Sequence, residues 1–236
     1  MLRSLKEIIG YKINASDGDI GKVSDFLFDD ETWTIRYLVA DTGNWLFDRL
    51  VLISPTAIGK PEWKSEELNV NLNKQQVQDS PKIDQDMPVS RQHELELAKY
   101  YGWPDYWTGF GMGAGPAATV PLQKVVPPKE VIPELDDEKE NVDSHLRSTE
   151  EVINYSIITE NGEYGHIKDL IVDDESWLLK NFVLSTRKIL PGGRNILCDI
   201  NSINQIDFTR SLVEVGLSKE KIKGNPEFDP VELIEK

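Results

Sequence analysis

The sequence predicts an all-β protein with minor helix, organised as two small β-barrels in tandem. Three observations lead there. The first is an internal repeat: DIGKVSDFLFDDETWTIRYLVADTG at 19–43 returns as EYGHIKDLIVDDESWLLKNFVLSTR at 163–187. Gly21, Asp25, Asp29, Asp30, Glu31, Trp33, Val39 and Thr42 meet the same residue types at one offset (177 − 33 = 144). The second is turn chemistry, because Asp17-Gly18 and Asn161-Gly162 open the two copies with dipeptides suited to a type I′ hairpin turn. The third is a succession of short alternating apolar runs with no long helical period, the pattern of short antiparallel strands closing into a barrel and so hiding their edges.

Each element follows from local residues. After the hairpin turn a strand is expected through Val23–Phe28 in the first copy and Ile167–Val172 in the second. An acidic turn follows, and the answering strand starts at Trp33 or Trp177. A period of two places Trp33, Ile35, Tyr37 and Val39 on one face, repeated by Trp177, Leu179 and Val183. Ser54-Pro55 reads as a cap and first helical position of a single turn. Leu68, Val70 and Leu72 then alternate as a strand, as do Val213, Val215 and Leu217. Asn73 and Ser218 cap short terminal helices that Pro81 and Pro226 close. The expected organisation is a first barrel at 1–85, a connector at 86–145 and a diverged second barrel at 146–236. The connector should hold a helix through RQHELELAKYY, the aromatic run YYGWPDYW and a Gly/Pro-rich segment.

Composition narrows the partners. The 236 residues carry a net charge of −15, so phosphate backbones and anionic lipids are poor partners, and nucleic acid is not expected. Mean hydropathy is −0.41, and the longest weakly polar run, GFGMGAGPAATVPL, is too short and too rich in Gly and Pro to cross a bilayer. The opening MLRSLKEIIGYK resembles no export signal, and the lone Cys198 makes no internal disulfide, so a cytoplasmic location is expected.

The turn Gly18, Gly21-x-Val23-x-Asp25, the acidic turn, Trp33 and Tyr37-Leu38-Val39-Ala40-Asp41-Thr42-Gly43-Asn44-Trp45-Leu46 through Arg49 and Ser54-Pro55 resemble the PRC-barrel domain. That domain forms the cytoplasmic part of the photosynthetic reaction-centre H subunit and the C-terminal half of a ribosome-maturation factor. YYGWPDYW resembles the aromatic linker of bacterial proteins with paired PRC-barrels. The resemblance implies a small β-barrel that binds or assembles, with no catalytic hallmark. Ribosome assembly or RNA processing, or an accessory role in a photosynthetic membrane complex, are the alternatives that it permits. The second copy replaces TGNWLFDR by STRKILPGGRN and is read as having lost that segment.

No catalytic, cofactor or metal motif is read. His93, His145 and His166 lack metal spacing, Leu97 stands where a zinc-protease helix needs its second His, and the Gly111-x-Gly113-x-Gly115 run meets Pro116 rather than a helix. The doubled acidic turn lacks the spacing of a calcium loop and is read as a solvated connector. Gly21, Asp25 and Trp33, with Gly165, Asp169 and Trp177, are read as structural. Trp45, Leu46, Phe47 and Arg49 are read as a partner-binding surface, aided by Trp103, Tyr106 and Trp107, because aromatic and Arg side chains dominate interface hot spots. The expected function is therefore a non-enzymatic protein-binding or assembly module, of which homo-oligomers are a possible form.

Overall fold

A computed structural model describes residues 1–46, 49–59, 61–81, 91–103, 146–186 and 193–229, with side chains in the helix at 91–101 described from Glu94 onward. In chain order the elements are β1 (Leu2–Ser4), α1 (Leu5–Ile8), β2 (Lys12–Ala15), β3 (Gly18–Asp29), β4 (Thr34–Asp41), β5 (Leu50–Ile53), β6 (Glu67–Asn69), α2 (Lys74–Gln78) and α3 (Arg91–Tyr101). Then come β7 (Leu146–Ser148), α4 (Thr149–Val152), β8 (Ser156–Thr159), β9 (Gly162–Asp173), β10 (Leu179–Ser185), β11 (Asn195–Asp199), β12 (Ile203–Asp207), β13 (Leu212–Val215) and α5 (Lys219–Gly224). The fold is mostly strand with short helices, as the sequence predicts.

Two sheets form, with order β5-β4-β3-β2-β6 in the first and β11-β10-β9-β8-β13-β12 in the second. Each also takes a strand from the other copy. β1 pairs antiparallel with β9, and β7 pairs antiparallel with β3. The opening strand of each repeat thus lies in its neighbour's sheet, and the expected boundaries 1–85 and 146–236 are crossed twice. Gly10 (φ +91) and Asn154 (φ +79) turn the chain back from this exchanged arm, their N–H groups donating to the carbonyls of Val23 and Ile167 at 2.8 Å.

The two repeats share one core. Val23, Phe26, Phe28, Ile35, Leu38 and Ala40 from the first repeat share a single apolar cluster with Ile167, Leu170, Val172, Leu179, Phe182 and Leu184, their counterparts at the same offset. The spacing of these residues also corrects the expected strand faces. Ser24 in β3 and Arg36 in β4 are extra residues against their partner strands, as are Lys168 in β9 and Lys180 in β10. Each such bulge advances the side-chain alternation by one position. Ile35 therefore faces the shared core, whereas Tyr37 and Val39 face outward onto Leu52, Leu97 and Leu146. A strict period of two misses this because it assumes an unbroken ladder.

The hairpin turns differ in type from the expectation. Ala15 pairs with Gly18 and Thr159 with Gly162, so the turns are Ser16-Asp17 and Glu160-Asn161. Only the glycines carry positive φ, which is the pattern of an ordinary turn followed by a glycine bulge rather than a type I′ turn.

Candidate functional site

The twice-kept residues converge on the junction between the repeats. Asp169 is buried and accepts from the Ser4 hydroxyl at 2.5 Å, the Lys6 N–H at 3.2 Å and the Leu170 N–H at 2.8 Å. Asp25 accepts from the Ser148 hydroxyl at 2.5 Å, the Thr149 hydroxyl at 2.7 Å and the Glu150 N–H at 3.1 Å. Ser4 and Ser148 are the N-caps of α1 and α4, each also accepting from the backbone three residues on. A carboxylate that interrupts an apolar strand is thus satisfied by the first turn of a helix from the other repeat, where N–H groups lack intrahelical partners.

The acidic turns divide their work. Asp29 Oδ1 accepts from the backbone of Glu31 and Thr32, while Arg36 reaches Oδ2 at 3.3 Å. Asp30 instead meets Arg147 at 3.0 Å across the junction, and Asp174 meets Arg3 at 3.4 Å. The Met1 amino group also donates to Asp174. The solvated connector expected here is therefore a clamp, with one carboxylate holding the turn and the next holding the other repeat. Among the described residues no group of three or more His, Cys, Asp or Glu converges as metal ligands.

Trp33 and Trp177 do not begin strands. Both lie in the turn with left-handed backbone, φ +55 and +56, an uncommon state for a bulky residue. In that conformation their carbonyls pair across the junction: Leu179 N–H donates to Trp33 at 2.8 Å, and Ile35 N–H to Trp177 at 2.9 Å. Trp33 stacks on Phe28 of its own repeat, and Trp177 packs against Phe26 of the other. Gly21 and Gly165 let β3 and β9 pass close to the ends of β4 and β10; a Cβ would stand 2.0 Å from the Asp41 carbonyl oxygen and 2.6 Å from that of Ser185.

Burial opposes the ionisation of Asp29, but the Thr32 hydrogen bonds and the Arg36 guanidinium outweigh it, holding this carboxyl below its ordinary 3.8. The hydrogen bonds from Ser176 lower Asp173 likewise. Burial pushes Asp169 up against its donors. These directions carry opposite signs for stability. A lowered folded-state pKa gives stability that is present above the unfolded value and lost as pH falls through the folded one. The advantage of the wild type over Asp29→Asn in urea unfolding should accordingly hold near neutral pH and shrink below about pH 4, while the Asp169 contribution falls as pH rises. An advantage that grows on acidification would show that Asp29 is not ionised in this turn.

Trp45, Leu46 and Arg49 are accounted for within the chain. Trp45 is half-buried on the core, with its indole N–H on the Ile20 carbonyl at 3.0 Å and Lys74 Nζ 5.3 Å from its ring centroid; Leu46 packs on the same core. The Arg49 guanidinium binds the carbonyls of Gln78 at 2.8 Å, Ser80 and Pro81 at 3.1 Å, fastening the end of α2. Arg194 does the same at the end of α5, on Lys223 at 2.8 Å and Asn225 at 3.5 Å. Thr42 and Thr186 close the two hairpins onto the carbonyls of Arg49 and Arg194. The second copy therefore keeps the Thr and Arg of TGNWLFDR with one residue inserted between them, contrary to the reading that the segment was lost. Phe47, Tyr106 and Trp107 lie outside the described residues, as do His145 and the side chain of His93. Cys198 is buried, which pushes its thiol up to about 12.

Trp103 belongs to a different surface. Gly102, at φ +70, ends α3 and lets Trp103 N–H return to the Ala98 carbonyl at 3.0 Å. The indole then stacks on Tyr101 (centroids 4.2 Å apart, 15° between planes) and lies 6.4 Å from Tyr37. Burial raises the Tyr101 hydroxyl to about 12. Trp103 and Tyr37 border a groove of about 570 Å³ that Asp174, Glu175 and Trp177 from the second repeat also line, together with Pro55. The acidic turn thus lines a cleft only because the repeats are joined.

Sequence reasoning missed Arg3, Ser4, Arg147 and Ser148. The signal was present: Leu-Arg-Ser stands at 2–4 and again at 146–148, at the offset of the repeat.

No helix among the described residues is long and apolar enough to cross a membrane. No curated protein matches the chain. The family model of the PRC-barrel domain matches residues 2–77, from β1 to α2, so the matched segment includes the arm that folds into the other sheet. Residues 2–77 match the PRC-barrel domain family, and β7 to α5 repeat the order of elements of that segment with one strand more.

Proposed function

We propose that the protein is a non-catalytic protein-binding or assembly module whose partner docks in the groove between the repeats. The observation that carries this reading is the composition of that groove. Its volume of about 570 Å³ falls in the range of ordinary binding clefts, and Trp103, Tyr37 and Trp177 border it together with the exposed Glu175. Tyr37 and Trp177 are buried in the floor of the groove, and the half-buried Trp103, held by stacking on Tyr101, is the aromatic that a partner would cover at little entropic cost. The acidic charge of the chain favours a protein or cationic partner over a nucleic acid. The commitment of Asp25, Asp29, Asp30, Asp169 and Asp174 to structural bonds supports a binding role rather than acid–base chemistry.

Affinity purification from native cells at low salt, with mass spectrometry, tests the reading. A reproducible protein partner is expected with the wild type, and its recovery at limiting bait should fall about tenfold with Trp103→Ala, the loss of one modest hot spot. Unchanged recovery with that variant would remove the groove as the docking surface. Purified protein that turns over a substrate would remove the non-catalytic assignment.

A further inference from the structure

The bonds across the junction come in pairs at one offset. Arg3 to Asp174 answers Arg147 to Asp30, Ser4 to Asp169 answers Ser148 to Asp25, and Leu179 to Trp33 answers Ile35 to Trp177. Leu2–Ser4 on β9 likewise answers Leu146–Ser148 on β3. Such an interface is self-complementary, with the same surface presented from both sides, which is the property of a two-fold dimer contact. Nothing in these bonds requires that the two repeats belong to one chain.

The covalent link between them runs through residues 82–145. Leu97 on α3 packs with Tyr37 and Val39 of the first sheet, and the second copy begins at β7. Which repeat closes on which therefore depends on the effective concentration that this link imposes, set against the concentration of other chains.

We propose that a second copy of this chain is a partner for the junction surface. Two chains exchange whole repeats, so that the first repeat of each closes on the second repeat of the other. The arms β1–α1 and β7–α4 insert into the other chain's sheets, and every junction bond named above is kept. The exchanged dimer needs no contact that the single chain lacks, and this inference is independent of what occupies the groove beside Trp103.

Charge reversal in full-length protein separates the alternatives. Arg3→Asp places two acidic side chains at the β1–β9 clamp within one chain, and Asp174→Arg places two basic ones there. When the variants are mixed and the repeats exchange between chains, one clamp regains opposite charges and the other regains the original Arg3–Asp174 pair. Equimolar co-refolding should give a heterodimer by native mass spectrometry, with no corresponding dimer from either variant alone. A mixture that yields no heterodimer beyond the homodimers of the separate variants overturns the proposal. Where neither variant folds, isotopically light and heavy wild-type chains refolded together supply the readout. A mixed dimer whose share rises with protein concentration is expected, and monomer at every concentration overturns the proposal.

Discussion

Asp169→Ala is expected to lower the unfolding free energy by about 3 kcal/mol near neutral pH, because it strands donors that have nowhere else to turn. Ser4 is 2% exposed, and its hydroxyl and the Lys6 N–H would lose their acceptor in the middle of the junction. The change also removes the carboxylate at the start of α1, where the unpaired amide groups of the helix favour negative charge. Asp25→Ala should cost somewhat less, about 2 kcal/mol, since its three donors lie in a partly exposed site where water replaces part of what is lost. Urea unfolding of both variants measures this directly. Equal, small effects from the two would mean that the exchanged arms contribute little to stability, and that the shared core alone holds the repeats together.

Gly21→Ala is the second large effect, expected at about 4 kcal/mol. An added methyl would stand 2.0 Å from the Asp41 carbonyl oxygen, and the backbone at φ +128 is closed to L side chains. The obstacle is main chain, so no side-chain rotation relieves it. Gly165→Ala meets the Ser185 carbonyl oxygen at 2.6 Å without the burden of a positive φ, and about 2–3 kcal/mol is expected there. Thermal or urea unfolding should therefore rank Gly21→Ala below Gly165→Ala. The reverse order would place the dominant cost in the packing around Leu184, whose side chain lies 3.0 Å from the same added methyl.

Much of the fold was legible in the residues. The turn glycines, the Ser54, Asn73 and Ser218 caps and the apolar runs after each acidic turn are local signals, and the structure places elements where they stand. The bulges at Ser24, Arg36, Lys168 and Lys180 were not legible, because an extra residue in one strand is visible only against its partner. The bonds of Arg49 within the chain were not legible for a related reason. A lone Arg beside exposed-looking aromatics resembles a binding surface until the carbonyls at the end of α2 are seen to fill its guanidinium. Its counterpart Arg194 was hidden by a single inserted residue, which broke the fixed offset.

The candidate groove was still less legible. Trp103 was marked by its aromatic neighbourhood, but Asp174, Glu175 and Trp177 lie more than seventy positions further along the chain and reach it only through the junction. Composition could say that aromatics and acids exist, not that they face one cleft.

By itself the sequence determined the strand-rich class, the duplication and the residues kept in both copies. Local propensity, turn chemistry and apolar periodicity suffice for these. Only the tertiary structure decided that each repeat lends its opening strand to the other. Leu-Arg-Ser is the same tripeptide at 2–4 and 146–148, and Asp25 and Asp169 are equivalent acceptors, so each arm carries the chemistry to fit either sheet. A choice between two chemically equal partners leaves no mark in local sequence. It is made by the path of the chain through Gly10 and Asn154 and by one apolar core that both repeats must bury together.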